Sequence, residues 1–288
     1  MIKTKPLIIA VASGKGGTGK TTLSTNLALL LSESVKVDLV DLDVEEPNVK
    51  LFLNPVIEKE KEIKLPIPHI DPSLCTFCGL CANRCEFNAL AILPANTLFF
   101  QELCHSCGRC KLVCPQGAIS EINHRIGTFS FGKKDQVIFY EGLLDQGNTQ
   151  TSALISKIKK ELTYLTHFQI RDCPPGTTCP MIESVKGADF VILVTEPTPF
   201  GLNDLSIAYE AVKAMRIPLG IVINKSSEND TLIENFCNEK EIKIIGKLPY
   251  SREAAKKIAQ GYDLLNISGF RKEFEKIINF FDEMRVKS

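Results

Sequence analysis

The sequence predicts an α/β protein with a mostly parallel sheet, interrupted after its second strand by a cysteine-rich α+β insert. Three observations predict it. A glycine-rich loop, Gly14 to Thr21, lies between a β-branched run and a leucine-rich helical pattern. Two runs of four cysteines with identical spacing fall together between Cys75 and Cys114. Beyond them, short apolar runs alternating with helical patterns resume, the first ending in Asp172. Neither half of that pattern closes a sheet alone, so residues 1–66 and 123–288 are expected to form one discontinuous domain around an insert at 67–122.

Ile8 to Val11 is a short β-branched run of the kind a buried parallel strand needs. Leu23, Leu27, Leu30 and Leu31 then recur at helical spacing. Val35 to Leu42 reads as the second strand, with Asp41 and Asp43 at its C-terminal end, where open α/β sheets place their ligands. The alternating charges of Glu58 to Glu62 read as a solvated linker, followed by Pro66, Pro68 and Pro72. After the cysteines, strands are expected at Phe168–Asp172, Phe190–Thr195, Leu219–Asn224 and Ile242–Ile245, with helices at Leu205–Met215 and Glu253–Gln260. Phe270, Phe274, Ile277, Ile278 and Phe281 share one helical face, which reads as a terminal helix docked on its own core rather than as a membrane-binding stripe.

Composition excludes several classes. The 44% hydrophobic and 24% charged fractions are those of an ordinary globular protein. The 34 basic and 34 acidic residues cancel, which argues against a global attraction to nucleic acid or membrane. No apolar run approaches the roughly 20 residues that span a bilayer. Leu7 to Ala12 is too short for a secretory signal core, so a cytoplasmic location is expected. In a reducing compartment eleven cysteines point to metal rather than to disulfides.

Eight of those cysteines form Cys75-x2-Cys78-x2-Cys81-x3-Cys85 and Cys104-x2-Cys107-x2-Cys110-x3-Cys114. Leu74 and Leu103, Gly79 and Gly108, and Ala89 and Ala118 match at the same offset, so one unit is duplicated. In such runs three thiolates wrap one face of a cubane and the fourth reaches the neighbouring cluster. This assigns Cys75, Cys78, Cys81 and Cys114 to one [4Fe–4S] cluster, and Cys104, Cys107, Cys110 and Cys85 to a second. Structural zinc would use paired knuckles with a wider gap. Pro115 follows Cys114, but Glu86 follows Cys85, a carboxylate expected to disfavour reduction nearby. His105 reads as an exposed bystander, and Cys237 as a small buried residue.

In Gly14-x4-Gly19-Lys20-Thr21 the glycines let backbone N–H groups curl around phosphates at a helix N-terminus. Gly14, Lys15, Gly16, Gly17, Thr18, Gly19, Lys20, Thr21 and Thr22 are the candidate ATP-binding residues. Lys20 is expected to reach the β- and γ-phosphates and Thr21 to ligate magnesium.

With Lys15 included, the loop Lys15-Gly16-Gly17-Thr18-Gly19-Lys20-Thr21 resembles the deviant Walker A family, which groups MinD, ParA, the nitrogenase iron protein and the Mrp-related cluster carriers. The resemblance covers about residues 1–55 and 125–288. It implies a nitrogenase iron protein-like fold and an ATP-sandwiched homodimer, in which Lys15 reaches the partner's nucleotide. It further implies that Asp43 orients water and magnesium, that Asp172 stands behind the metal, that Gly176 is a switch glycine, and that Asn224 and Pro249 lie against adenine. With the cysteines included, the chain resembles members that carry an inserted two-cluster ferredoxin domain. Cys179, seven residues after Asp172, matches a cluster-ligating position of the iron protein, although packing beside the switch is the favoured reading and no second matching cysteine is present. No residue stands out as a strong general base, which suits slow, switch-like hydrolysis.

Three functions follow from the resemblance. The first is an ATP-driven switch coupled to electron transfer through the two clusters, with a redox or metalloprotein partner. The second is an iron–sulfur or metal-cofactor assembly ATPase. The third, ranked last, is a positioning ATPase of the MinD or ParA kind.

Overall fold

The structure, a computed structural model, describes residues 5–163 and 166–287. In chain order it runs β1 (Leu7–Ala12), α1 (Lys20–Ser32), β2 (Val37–Asp41), α2 (Val49–Leu53) and β3 (Val56–Ile70). The insert follows with α3 (Leu80–Asn83), β4 (Leu90–Leu93), β5 (Asn96–Phe99) and α4 (Arg109–Leu112). The chain returns through β6 (Ile119–Lys134) and β7 (Val137–Leu144) to α5 (Thr151–Glu161), β8 (Phe168–Asp172), α6 (Cys179–Val185) and β9 (Phe190–Thr195). It ends with α7 (Pro199–Ala214), β10 (Leu219–Ser226), α8 (Thr231–Glu239), β11 (Ile244–Pro249), α9 (Arg252–Ala259) and α10 (Phe270–Lys287).

Among the described residues nine strands form one sheet, ordered β11-β10-β9-β1-β8-β2-β7-β6-β3, and β4 and β5 pair separately. From β11 to β7 every pairing is parallel. Those strands are apolar on both faces because helices cover both. On one face Leu23 and Leu27 of α1 pack with Phe274 and Ile277 of α10. On the other, Met181 of α6 and Leu205 of α7 cover one half, and Leu154, Ile155 and Ile158 of α5 cover the rest. Phe270, Phe274, Ile277 and Phe281 are buried, so the terminal apolar stripe docks on its own domain. No helix among the described residues is long and apolar enough to cross a membrane.

The charged run expected to be a linker is instead the first half of β3, an edge strand. Its residues Val56 to Glu62 are exposed, so no apolar alternation marks it. What holds it is a ladder with β6, supported by pairs of Glu58 with Lys133, Glu60 with Ser130 and Glu62 with Arg125. Such charge along an edge also discourages pairing with another chain.

Only Gly127 to Lys134 of β6 lie against β7. The rest of β6 pairs with β3 alone, so a two-stranded ribbon runs beyond the sheet to the cysteine region, as far as Ile70 opposite Ile119. Where the ribbon leaves the sheet, Ile63 faces Gly127 but Lys64 faces Arg125. Ile126 is the extra residue, a β-bulge that bends and twists the ladder locally. Ile67 pairs with Ile122, so the insert boundary expected at 67–122 crosses one continuous ladder. Arg125 fastens the bend, bonding Glu62, Thr128 and Asp145.

One buried group gives the fold a pH dependence. Asp38 of β2 is fully buried, and neither carboxylate oxygen has a hydrogen-bond partner among the described residues. Burial pushes its pKa up to about 7. Below the ordinary carboxylate range both folded and unfolded forms are protonated. As pH rises from about 4 to about 7 only the unfolded form releases its proton, so stability falls across that window and levels off above it. Urea melts at pH 4.5 and 7.5 should differ by on the order of 3 kcal/mol from this group, and Asp38→Asn should flatten the difference.

Candidate functional site

The glycine loop joins β1 to α1. Gly19 caps α1 with φ +96°, a conformation that favours glycine, and a Cβ there would lie 2.3 Å from Asn224 Nδ2. Gly14 has its own constraint: a Cβ would meet the Asp204 carbonyl of α7 at 2.2 Å. The loop is therefore clamped between β10 and α7. Gly16 and Gly17 stay exposed, Lys15 is half-buried, and Lys20 is buried at the first turn of α1. The Thr18 hydroxyl is buried without a partner among the described residues, leaving it available to a bound group.

Asp172, at the end of β8, accepts hydrogen bonds from Thr21 Oγ1 at 2.6 Å and Ser24 Oγ at 2.8 Å. Asp41, its neighbour on β2, accepts from Asp43 N at 3.1 Å and Val49 N at 3.0 Å. Asp43 follows, half-buried. Burial first, then the Asp172 charge, lifts the Asp43 pKa to about 6, with Lys20 acting against them. Burial raises Asp172 and, with help from Asp172, raises Asp41. Carboxylates forced together beside a hydroxyl are the hard oxygen donors magnesium takes, so Thr21, Asp43 and Asp172 fit that ion. Gly176 N donates to Ser13 O at 3.1 Å, which sets the segment after β8 against the loop.

Asn224 stands at the glycine loop. Its Nδ2 donates to Thr18 O at 2.8 Å and its Oδ1 accepts from Lys225 N. The amide ties the end of β10 to the glycine loop. Pro249 ends β11, half-buried. Cys173 is fully buried, and burial pushes its thiol up to about 12. Cys237 is buried. Cys179 is exposed at the start of α6, not packed beside the switch as expected, because the helix begins there in solvent.

In the insert the duplication extends to the backbone. Phe77 and Ser106 both have positive φ, near 54° and 52°, and Gly79 and Gly108 cap α3 and α4 at 78° and 72°. Phe77 N donates to Cys75 Sγ and Ser106 N to Cys104 Sγ, each at 3.4 Å. Two concavities result. Cys75, Cys78, Cys81 and Cys114 line one, and Cys85, Cys104, Cys107 and Cys110 line the other. The last cysteine of each run thus sits with the other run. Burial raises the Cys81 thiol, with Cys75 and Cys114 adding to it, and burial takes Cys110 to about 11.

No three His, Cys, Asp or Glu side chains among the described residues converge to hold a single metal ion. A cubane asks for something different, since each thiolate binds a different iron and the four sulfurs ring a broad group. Four thiols around one concavity, with N–H groups aimed at sulfur, fit that demand. Glu86 does not stand as a free carboxylate near the second concavity: Arg109 pairs with it and offsets its charge. His105 is exposed, as expected, and stacks on Phe87 with centroids 3.7 Å apart. Nothing in the sequence signalled either contact, because both partners come from opposite repeats.

The chain is similar to several known proteins. An uncharacterized protein of Methanocaldococcus jannaschii is 30% identical over 283 residues, covering 95% of this chain and 97% of that one. A cytosolic Fe-S cluster assembly factor, the NUBP2 homolog of Dictyostelium discoideum, is 28% identical over 264 residues, covering 84% and 80%. The structure of the septum site-determining protein MinD with Mg-ADP from Pyrococcus horikoshii superposes with a TM-score of 0.62 at 19% identity, covering 98% of each chain. The model of the CobQ/CobB/MinD/ParA nucleotide binding domain matches residues 9–264. That match takes in both halves of the interrupted domain, and the chain therefore belongs to the CobQ/CobB/MinD/ParA nucleotide-binding family.

Proposed function

We propose that this P-loop ATPase serves iron–sulfur or metal-cofactor assembly, with a resident [4Fe–4S] cluster in each cysteine concavity. The observation that carries this reading is the crossed arrangement of eight thiols on a ribbon continuous with the ATPase sheet. The Dictyostelium relative, named for cluster assembly, supports it over the electron-transfer role that the sequence ranked first. The insert then acts as a two-cluster ferredoxin-like module, and the clusters supply one-electron chemistry.

The residues divide as follows. Gly14 to Thr22 wrap the phosphates, and Lys20 neutralises the β- and γ-phosphate charge. Thr21 and Asp43 hold magnesium, with Asp172 orienting Thr21 from behind. Lys15 belongs to an ATP-bound homodimer, where it reaches the partner's nucleotide. Asn224 fixes the loop, and Pro249 lies beside the base.

An electron-transfer role is the second reading, favoured by the exposure of Cys78 and Cys107, one on each concavity. Transfer of iron and sulfide from a loaded donor to an apo acceptor separates the two. Assembly predicts that the cluster-loaded chain with ATP accelerates acceptor maturation, and that the Lys20→Ala chain does not. Acceptor maturation indifferent to both chain and nucleotide would overturn the assembly reading.

A further inference from the structure

Three carboxylates occupy one rung of the sheet. Asp172, Asp41 and Glu141 are ladder partners across β8, β2 and β7. Each is taken by a different element. Asp172 accepts from Thr21 and Ser24 of α1. Asp41 accepts from Asp43 N and from Val49 N at the start of α2. Glu141 accepts from Lys50 Nζ, one residue further into α2, at 3.0 Å.

The third of these ties has no counterpart in the nucleotide chemistry. The Glu141 side chain is only 5% exposed, and its Oε2 has no partner among the described residues. Lys50 is its ion-pair partner. A carboxylate placed there costs desolvation that one half-exposed lysine repays in part, so the pair is a poor device for stability alone. Its location suggests another use. With five residues, α2 is too short to hold itself in place. Val49 and Leu53 anchor it from below, and the Lys50–Glu141 pair fixes it laterally. On one side of α2 lies the segment that begins with Asp43. On the other, Asn54 turns the chain at φ 48° straight into β3 and the ribbon.

We propose that Lys50 and Glu141 are positioning residues for ATP hydrolysis: their ion pair holds α2 so that the segment bearing Asp43 stays in register with the nucleotide site and with the ribbon of the insert. This rests on the reading of Asp43 as the hydrolytic-site carboxylate. In this role the two residues act through α2 and need no contact of their own with nucleotide or metal.

Lys50→Met and Glu141→Gln in the full, cluster-loaded chain test it. Each should lower kcat by about tenfold or more, as displaced catalytic groups do. The Kd for ATP should stay within about twofold, since the glycine loop is untouched. Lys50→Arg, which keeps a cation on Glu141, should recover at least half of kcat. Hydrogen exchange supplies a readout that simple destabilisation would not move. ATP should change protection along Val56 to Ile63 in the wild-type chain and in Lys50→Arg, but not in Lys50→Met. Unchanged kcat in both single variants would overturn the proposal, as would kcat and ATP affinity falling together with the melting temperature. Asp43→Asn is run in parallel. If it is inactive while Lys50→Met is wild type, only the positioning role fails; if Asp43→Asn is fully active, the reading beneath it fails.

Discussion

Replacing Lys20 with alanine is expected to abolish ATP binding and hydrolysis while leaving about eight irons per chain, two cubanes of four. Lys20 is buried at the first turn of α1, and its charge opposes the upward shift that burial imposes on Asp43 and Asp172. Triphosphate brought to the loop without it would leave concentrated negative charge facing those carboxylates, and backbone N–H groups alone cannot offset that. A loss of at least about 10²-fold in hydrolysis follows from removing one such stabilising group. The fold should persist, because Thr21 and Ser24 still hold Asp172. Calorimetric titration with ATP and an iron assay on the same preparation check both halves. Iron lost along with ATP binding would mean that the concavities depend on the nucleotide domain for their shape.

The second large effect is expected from paired cysteine substitutions. With crossed ligation, Cys75→Ser with Cys114→Ser strikes one cluster only and leaves about four irons. Cys75→Ser with Cys85→Ser strikes both clusters and takes iron toward zero. If each run instead served its own cluster, the two results would exchange. The lining of the two concavities favours the crossed outcome. Iron content and the intensity of the reduced-cluster EPR signal distinguish the alternatives without reference to any partner protein.

Much of the nucleotide site was legible because its chemistry is local. The glycine spacing, Lys20 and Thr21 lie in one loop, and Asp172 ends a strand whose apolar run is plain. The grouping of the cysteines around two concavities could be read for the same reason, since three of each four sit in one turn. What the sequence concealed depends on partners far along the chain. β3 looked like a linker because a charged edge strand has no apolar alternation, and its partner β6 lies beyond the whole insert. β7 carries an apolar run, yet the run does not disclose that Glu141 would stand beside Asp41. Asn224 ended the expected strand, but only the folded loop shows that its amide is committed to Thr18. The Arg109 that offsets Glu86 was invisible for want of any local spacing between them.

The ribbon also has a consequence for the order of folding. Ile70 can meet Ile119 only after the whole cysteine segment between them has been gathered, and closing a flexible loop of about 50 residues carries an entropic cost before any rung rewards it. Two clusters tying that segment into compact turns would pay part of the cost in advance. Iron loading during synthesis should therefore hasten the zipping of β3 onto β6, and with it the completion of the sheet edge. A chain made under iron starvation would reach the same topology more slowly, with the outer half of β6 left unpaired and open to misassembly.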